Sequence, residues 1–447
     1  MLEAIGVSSV EELYSDVPPQ VLMDPREWDS LPIGEGRPLS EVELLRRVEE
    51  VLSKNRYYTD PPPFVGGGVW PRHVPPAVKH IISRSEFLTA YTPYQAEISQ
   101  GLMQALFEYQ SLIAELVEME VVNASHYDWS SAIGEAFLMA SRVTRRRRVI
   151  IPETANPLHM EVARTYAYGP GISVEEVRVE RDTGFIDLDD LEARNLGEAA
   201  ALYVEYPSTY TGVVDENLEA AGEAIHKHGG LLIVGFEPIS MSLLKPPGRL
   251  GADIAVGEGQ PLGLGLNYGG PYLGIFAVKW SSRLVRQMPG RLIGMTSDAE
   301  GERAFAMILQ TREQHIRRSK ATSNITTNEA LMAIAAAVYL SLLGPAGLRE
   351  VAEASWYMSH YASKKLSNSG IESPLLSGEF IMDFTVRLPR RAREVRESLA
   401  RQGILAGIPL EGFSFFTDKD LLLTVTEVHT KRHVDLLVDR LAGALGG

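Results

Sequence analysis

Not one cysteine occurs among the 447 residues. Disulfide frameworks, thiolate nucleophiles and cysteine-ligated metals are therefore excluded. No uninterrupted run of eighteen apolar residues occurs either, so the chain reads as having no membrane span. The first residues, MLEAIGVSSVEELYSDVP, have neither a basic n-region nor an apolar core and do not read as a signal peptide. A soluble cytoplasmic protein is the expectation. Positive charge is in deficit: 43 basic residues against 58 acidic ones leave a formal net charge of −15, which argues against general nucleic-acid binding. Phosphate-loop and hydrolase signatures are missing too, with no GxxxxGK[ST] loop and no GxSxG elbow. The glycines of Gly263-Leu264-Gly265 precede a strand late in the pattern, the wrong context for a dinucleotide fingerprint. His226 and His228 have no further ligand at metal spacing and read as a helix terminus.

What is present is ordinary globular composition, 45% hydrophobic and 23% charged. An N-terminal arm is expected over 1–65, with a capping-box start at Ser40-Glu41-Val42-Glu43 and a stop at the prolines 61–63. A large α/β domain is expected over 66–325. Within it, helical patterns near 98–118, 130–145, 158–167 and 216–228 alternate with strand-like runs. Those runs fall at 148–152, 174–180, 200–206, 230–236, 252–257 and 272–279. Several are apolar throughout, as strands covered on both faces should be, so the sheet is expected to be mainly parallel. Linking helices near 326–343 and 346–367 and a small α+β domain complete 326–447. The basic run Arg145 to Arg148 reads as a solvated helix end.

Two stretches stand out chemically. In Gln310-Thr311-Arg312-Glu313-Gln314-His315-Ile316-Arg317-Arg318-Ser319-Lys320 the cations crowd several sides of any helix. That suits the lining of a phosphate, carboxylate or partner site as well as it suits a plain surface. In Thr89-Ala90-Tyr91-Thr92-Pro93-Tyr94-Gln95 a proline-fixed turn carries two tyrosines, as at an interface or a site mouth.

These two stretches, together with NASHYD (123–128), YPSTYTGVVDE (206–216), PPGRLGADIAVGEGQPLG (246–263), GGPYLG (269–274) and MPGRLIGMTSD (288–298), resemble the P-protein family, the decarboxylating glycine dehydrogenases of the glycine cleavage system. The similarity runs from the first residues to at least about 365 and matches the N-terminal half of the single-chain enzyme, which some prokaryotes encode as a separate subunit 1. It implies a fold-type-I pyridoxal-phosphate transferase-like large domain with a small α+β C-terminal domain. It also implies a reaction in which glycine is decarboxylated on pyridoxal phosphate and the aminomethyl group passes to the lipoyl arm of the H-protein.

Such chemistry requires a lysine to anchor the cofactor and an acid for its ring nitrogen. In the family's catalytic half the lysine lies eleven residues before the proline of Gly-Gly-Pro, after a histidine. Here that count from Pro271 reaches Gln260, and the histidine position is Gly259. The acid should fall near Gly235, and the closest is Glu237. Among other lysines only Lys320 stays as an alternative, without the strand-end context. The resemblance therefore implies a subunit that anchors no cofactor covalently and binds no metal. Pyridoxal phosphate is expected in a partner subunit 2, within a two-plus-two heterotetramer that serves the lipoylated H-protein. Residues expected to reach into the partner's site are Arg312, His315, Arg317, Arg318, Lys320 and Asn324, with Tyr91, Tyr94 and Gln95. Two other readings stay open: a non-catalytic scaffold that stabilises subunit 2 and docks the H-protein, and an independent pyridoxal-phosphate enzyme.

Overall fold

The structure, a computed structural model, describes every residue except 35, 324, 326–328 and 447. The chain forms two compact units, Met1–Tyr57 and Tyr58–Gly447. The proline cluster that suggested a boundary near 65 therefore lies inside the second unit, where Phe64 is fully buried and bridges to Ala406.

The first unit is a string of short helices ending in Glu41–Leu52. Ser40 caps that helix by accepting from the Glu43 amide, while the Glu43 carboxylate accepts from the Ser40 amide. Leu44, Leu45, Val48, Val51 and Leu52 fall on one side at helical spacing, yet each is at least 42% exposed. No described residue of this unit is buried.

The second unit is built on a seven-stranded sheet. In chain order its strands are β1 (Val121–Val122), β2 (Arg148–Pro152), β3 (Ser173–Val177), β4 (Ala201–Tyr206), β5 (Leu231–Phe236), β6 (Ile254–Glu258) and β7 (Gly274–Val278). Their spatial order is β1-β7-β6-β5-β4-β2-β3, parallel from β6 to β3 and antiparallel at β7 and β1. Side-chain alternation feeds two cores. Ile150, Leu202, Val204, Leu232 and Val234 share one core with residues of the helices Gln100–Val117 and Ala330–Asn368. Val149, Ile151, Tyr203 and Ile233 share the other with the helices Trp129–Thr144 and Pro157–Tyr168. Burial on both faces explains why these strands are apolar throughout. The basic run is more than a solvated helix end. Arg145 and Arg147 are exposed, but Arg146 donates to the carbonyls of Ala199 (2.9 Å) and His228 (2.8 Å) and so ties two loops together.

The sequence pattern did not suggest the hairpin β8 (Leu292–Ser297) and β9 (Arg303–Ile308). It is laced to the Gln100–Val117 helix by two glutamines that imitate a neighbouring strand. Gln110 exchanges both hydrogen bonds with the peptide groups of Ile293, and Gln100 does the same with Phe305. The two expected linking helices both form within Ala330–Asn368, separated by a non-helical break at Gly344 (φ 59°) before Pro345. By length and composition this helix could cross a bilayer, which the sequence reading did not anticipate; half of its most apolar window is buried inside the protein. Behind it, β10 (Asp383–Arg387), β11 (Ile408–Pro409) and β12 (Asp420–Thr424) form an antiparallel sheet in the order β10-β12-β11. The helices Ala392–Arg401 and Lys431–Gly446 pack beside that sheet around Phe384, Leu399, Leu423 and Leu437.

A unit without a buried residue has little to protect its backbone. Limited proteolysis of the isolated chain is expected to cut within 1–57 first and leave a resistant fragment that begins near Tyr58. Primary cleavage inside 58–447, read by mass spectrometry, would contradict this.

Candidate functional site

The parallel strands β2, β4, β5 and β6 all end at one edge of the sheet, where open α/β folds place their ligand crevice. That edge carries Glu205 and Glu258 near the ends of β4 and β6, and Glu237 and Gln260 just beyond β5 and β6, all buried. Gln260 occupies the centre. Its Oε1 accepts from the Trp70 amide at 2.9 Å, and its Nε2 donates to the carbonyls of Trp70 and Leu264, each at 3.0 Å. The side-chain amide thus pairs with the Trp70 peptide group as a neighbouring strand would. The Trp70 indole is buried and donates to Asp383 Oδ2 at 2.8 Å. Next to it Arg72, also buried, pairs with Glu427 (2.6 Å) and Glu237 (3.3 Å) and donates to Ser355.

The crevice does not fit pyridoxal phosphate. The amide at 260 offers no amine, and no described lysine lines the two small cavities at this edge. At Gly235, where the ring acid would stand, a Cβ would lie 2.6 Å from the Tyr203 hydroxyl and 2.9 Å from the Trp129 ring. At Gly259, the histidine position, a Cβ would lie 2.5 Å from Leu273. Glu237, the closest acid, is spent on Arg72 and on the amide and hydroxyl of Ser240. The N-terminus of the Trp129–Thr144 helix is a natural phosphate seat, but Asp128 caps it and Glu258 accepts from the Trp129 amide. Two cavities at this edge, one beside Trp70 and Asp383 and one beside Glu205 and Asp215, each measure about 10 Å³. That is room for one water, far below the roughly 300 Å³ at which small-ligand pockets begin.

Buried carboxyls follow from this filling. Burial pushes Glu258 up to about 8, Asp383 to about 7 and Asp215 to about 6. Burial also raises Glu205, but the His159 imidazole 3.6 Å away and hydrogen bonds from the amide and hydroxyl of Thr209 outweigh it and leave this carboxyl below the usual range.

Five of the remaining candidates fall into two groups. Tyr94 and His315 come together, their rings 5.5 Å apart edge to face, joined by Arg291 and Glu313. Arg291 donates to the Tyr94 hydroxyl at 2.8 Å and lies 3.4 Å from Glu313, which is itself 3.6 Å from His315. Arg291 was not singled out from sequence, although it sits inside MPGRLIGM, one of the stretches that carried the resemblance. Arg312 folds inward, donating to the carbonyls of Met288, Gly290 (3.0 Å) and Leu309 (3.2 Å). Burial lowers it to about 10. Arg317 donates to Thr311, and Lys320 closes a short turn; both line a cavity with Arg312. Arg318, Tyr91 and Gln95 are exposed. Asn324 lies outside the described residues.

The fold is that of the fold-type-I pyridoxal-phosphate enzymes. A cysteine desulfurase from Thermococcus onnurineus NA1 superposes with a TM-score of 0.65 at 15% identity, covering 89% of this chain and 98% of that one. Residues 1–441 match the family described as glycine cleavage system P-protein, and the chain belongs to that family. It is 77% identical over its whole length, and 97% of the relative's, to the probable glycine dehydrogenase (decarboxylating) subunit 1 of Aeropyrum pernix. It is 50% identical to the protein of the same name from Staphylothermus marinus, over 99% of this chain and 95% of the other. A solved glycine decarboxylase (P-protein) of the glycine cleavage system, in inhibitor-bound form, matches with a TM-score of 0.89 at 39% identity, over all of this chain and 97% of that one.

Gln260→Ala is expected to cost about 3–5 kcal/mol in urea unfolding, because the Trp70 amide and the Trp70 and Leu264 carbonyls stay buried without partners. Gln260→Lys is expected to destabilise the fold as well and to give no visible absorbance band with added pyridoxal phosphate; a yellow protein bleached by hydroxylamine would show that the crevice does accept the cofactor.

Glu258, Asp383 and Asp215 keep their protons in the folded chain at pH values where the unfolded chain has released them. The folded state therefore binds more protons between about pH 4 and pH 8, and stability should fall as pH rises through that window. Asp383→Asn should flatten part of the decline. Urea midpoints that rise from about pH 5 to about pH 8 would rule the account out.

Proposed function

We propose that this chain is the subunit of a two-subunit glycine decarboxylase that anchors no cofactor, working with a lysine-bearing subunit 2 in a two-plus-two assembly. One observation carries the reading. Where the family's anchor is expected, both polar ends of the Gln260 amide are committed to Trp70, and an amide nitrogen cannot form an imine. The relatives' name, subunit 1, supports the need for a partner. Pyridoxal phosphate, held by subunit 2, supplies the electron sink for decarboxylation, and the aminomethyl group passes to the lipoylated H-protein.

What this chain offers is a preorganised surface. Arg291 is fixed between Tyr94 and Glu313, with His315 against the same carboxylate, so the phenol and the imidazole are held ready to meet a carboxylate across an interface. A scaffold role is favoured by one fact: Arg291 already has its counter-ion in Glu313.

The chain and a lysine-bearing subunit 2 should be co-expressed and assayed for glycine-dependent carbon dioxide exchange. His315→Ala and Tyr94→Phe are expected to lower exchange about tenfold or more, roughly 1.4 kcal/mol of barrier, with the complex intact by size-exclusion chromatography. Unchanged exchange would establish the scaffold instead. No exchange in any such pairing would overturn the assignment.

A further inference from the structure

Away from the sheet edge, a cavity of about 490 Å³ is lined by Arg142, Arg286, Arg312, Arg317 and Lys320. They come from separate places in the chain: the Trp129–Thr144 helix, the Ser282–Gln287 helix and the arginine-rich stretch. No acidic residue lines the cavity, and among the described residues none of the five cations lies in an ion pair. Their hydrogen bonds go to neutral oxygens. Arg142 donates to the side-chain and backbone oxygens of Gln287, both at 3.2 Å. Arg312 and Arg317 donate to backbone carbonyls.

Those bonds fix the guanidiniums without neutralising them. Arg142 and Arg312 are recessed, and burial lowers the pKa of both, with Glu135 and Glu313 only partly offsetting it. Gathering like charges around one space is unfavourable unless an anion joins them. A chain with net charge −15 has no general reason to concentrate cations here.

We propose that this cavity binds a small polyanion carrying two or more phosphate or carboxylate groups. The volume falls within the roughly 300–1,000 Å³ of small-ligand pockets. The fixed forks of Arg142 and Arg312 suit bidentate contacts to oxyanions. Exposed Arg286, Arg317 and Lys320 supply the entry field, and Thr311, Thr322 and Gln287 supply neutral polar groups. A recessed space between three elements favours a small molecule over an acidic protein face. The proposal does not rest on the decarboxylase reading, because the cavity is built wholly within this chain.

The test is isothermal titration of the full chain at constant ionic strength, with tripolyphosphate in one arm and citrate in the other to separate phosphate from carboxylate ligands. Saturable binding of one ligand per chain is expected in at least one arm, weakened tenfold or more by Arg286→Gln and by Arg142→Gln. Arg391→Gln, on an exposed arginine just before the Ala392–Arg401 helix, should leave it unchanged. Arg286 is exposed, so its variant is informative even if Arg142→Gln fails to fold. Absence of saturable binding in both arms, or binding that Arg286→Gln leaves intact, would overturn the site.

Discussion

The crevice depends on a side chain that behaves as backbone. Gln260 presents one acceptor and one donor to the N–H and C=O of Trp70, and its second N–H reaches Leu264. This pairing holds the segment from Phe64 to Arg72 across the sheet edge. The glycine run there follows from the closeness of that approach. A Cβ at Gly66 would lie 2.2 Å from the Thr424 hydroxyl and 2.5 Å from Asp383, and one at Gly68 would lie 3.1 Å from His159. The same segment joins the large sheet to the small one, because the Phe64 carbonyl accepts from the amides of Gly407 and Thr424. A lysine at 260 could donate to the carbonyls of Trp70 and Leu264 but could not accept from the Trp70 amide. The substitution that would restore an anchor therefore also removes a clasp.

Arg72 extends the same logic with charge. Its guanidinium is fully out of water between Glu237 and Glu427, contributed by the large and small parts of the body. Breaking such a pair leaves an uncompensated buried charge and costs about 3–5 kcal/mol, whereas the intact pair adds little net stability over apolar packing. Its effect is to fix position, since the arginine has its partners only when both parts close on the segment between them. Glu237 is thereby committed to structure two residues beyond the position where a catalytic acid would stand.

Much of this was legible in the sequence. The apolar runs located β2 and β4 to β7 because burial on both faces leaves a strong pattern, the partly exposed edge strand β3 showed only in its valines, and the helices Gln100–Val117 and Trp129–Thr144 followed their periodicity closely. The count back from Pro271 reached Gln260, but nothing in the sequence said what the glutamine does, since Trp70 lies 190 residues away. The hairpin β8–β9 escaped notice because its stabilising partners are glutamine side chains on a helix and leave no strand pattern. The arginine-rich stretch looked like one site. The fold divides it: His315 turns toward Tyr94, while Arg312, Arg317 and Lys320 turn toward Arg142 and Arg286, which sequence reasoning had no means of adding.

The two regions have opposite electrostatics. The sheet-edge crevice gathers Glu205, Glu237, Glu258 and Asp383, with Arg72 as its buried cation. A phosphate dianion brought there would meet carboxylates at a helix terminus that Asp128 already caps. Burial answers that crowding by raising Glu258 and Asp383, which favours their uncharged forms. The outer cavity has no such escape, because a guanidinium stays protonated even when burial lowers it to about 10. Carboxyls can discharge themselves by taking up protons, and arginines cannot. A crevice lined by carboxyls can therefore shed part of its charge and pack closely, whereas a cavity lined by arginines keeps its field.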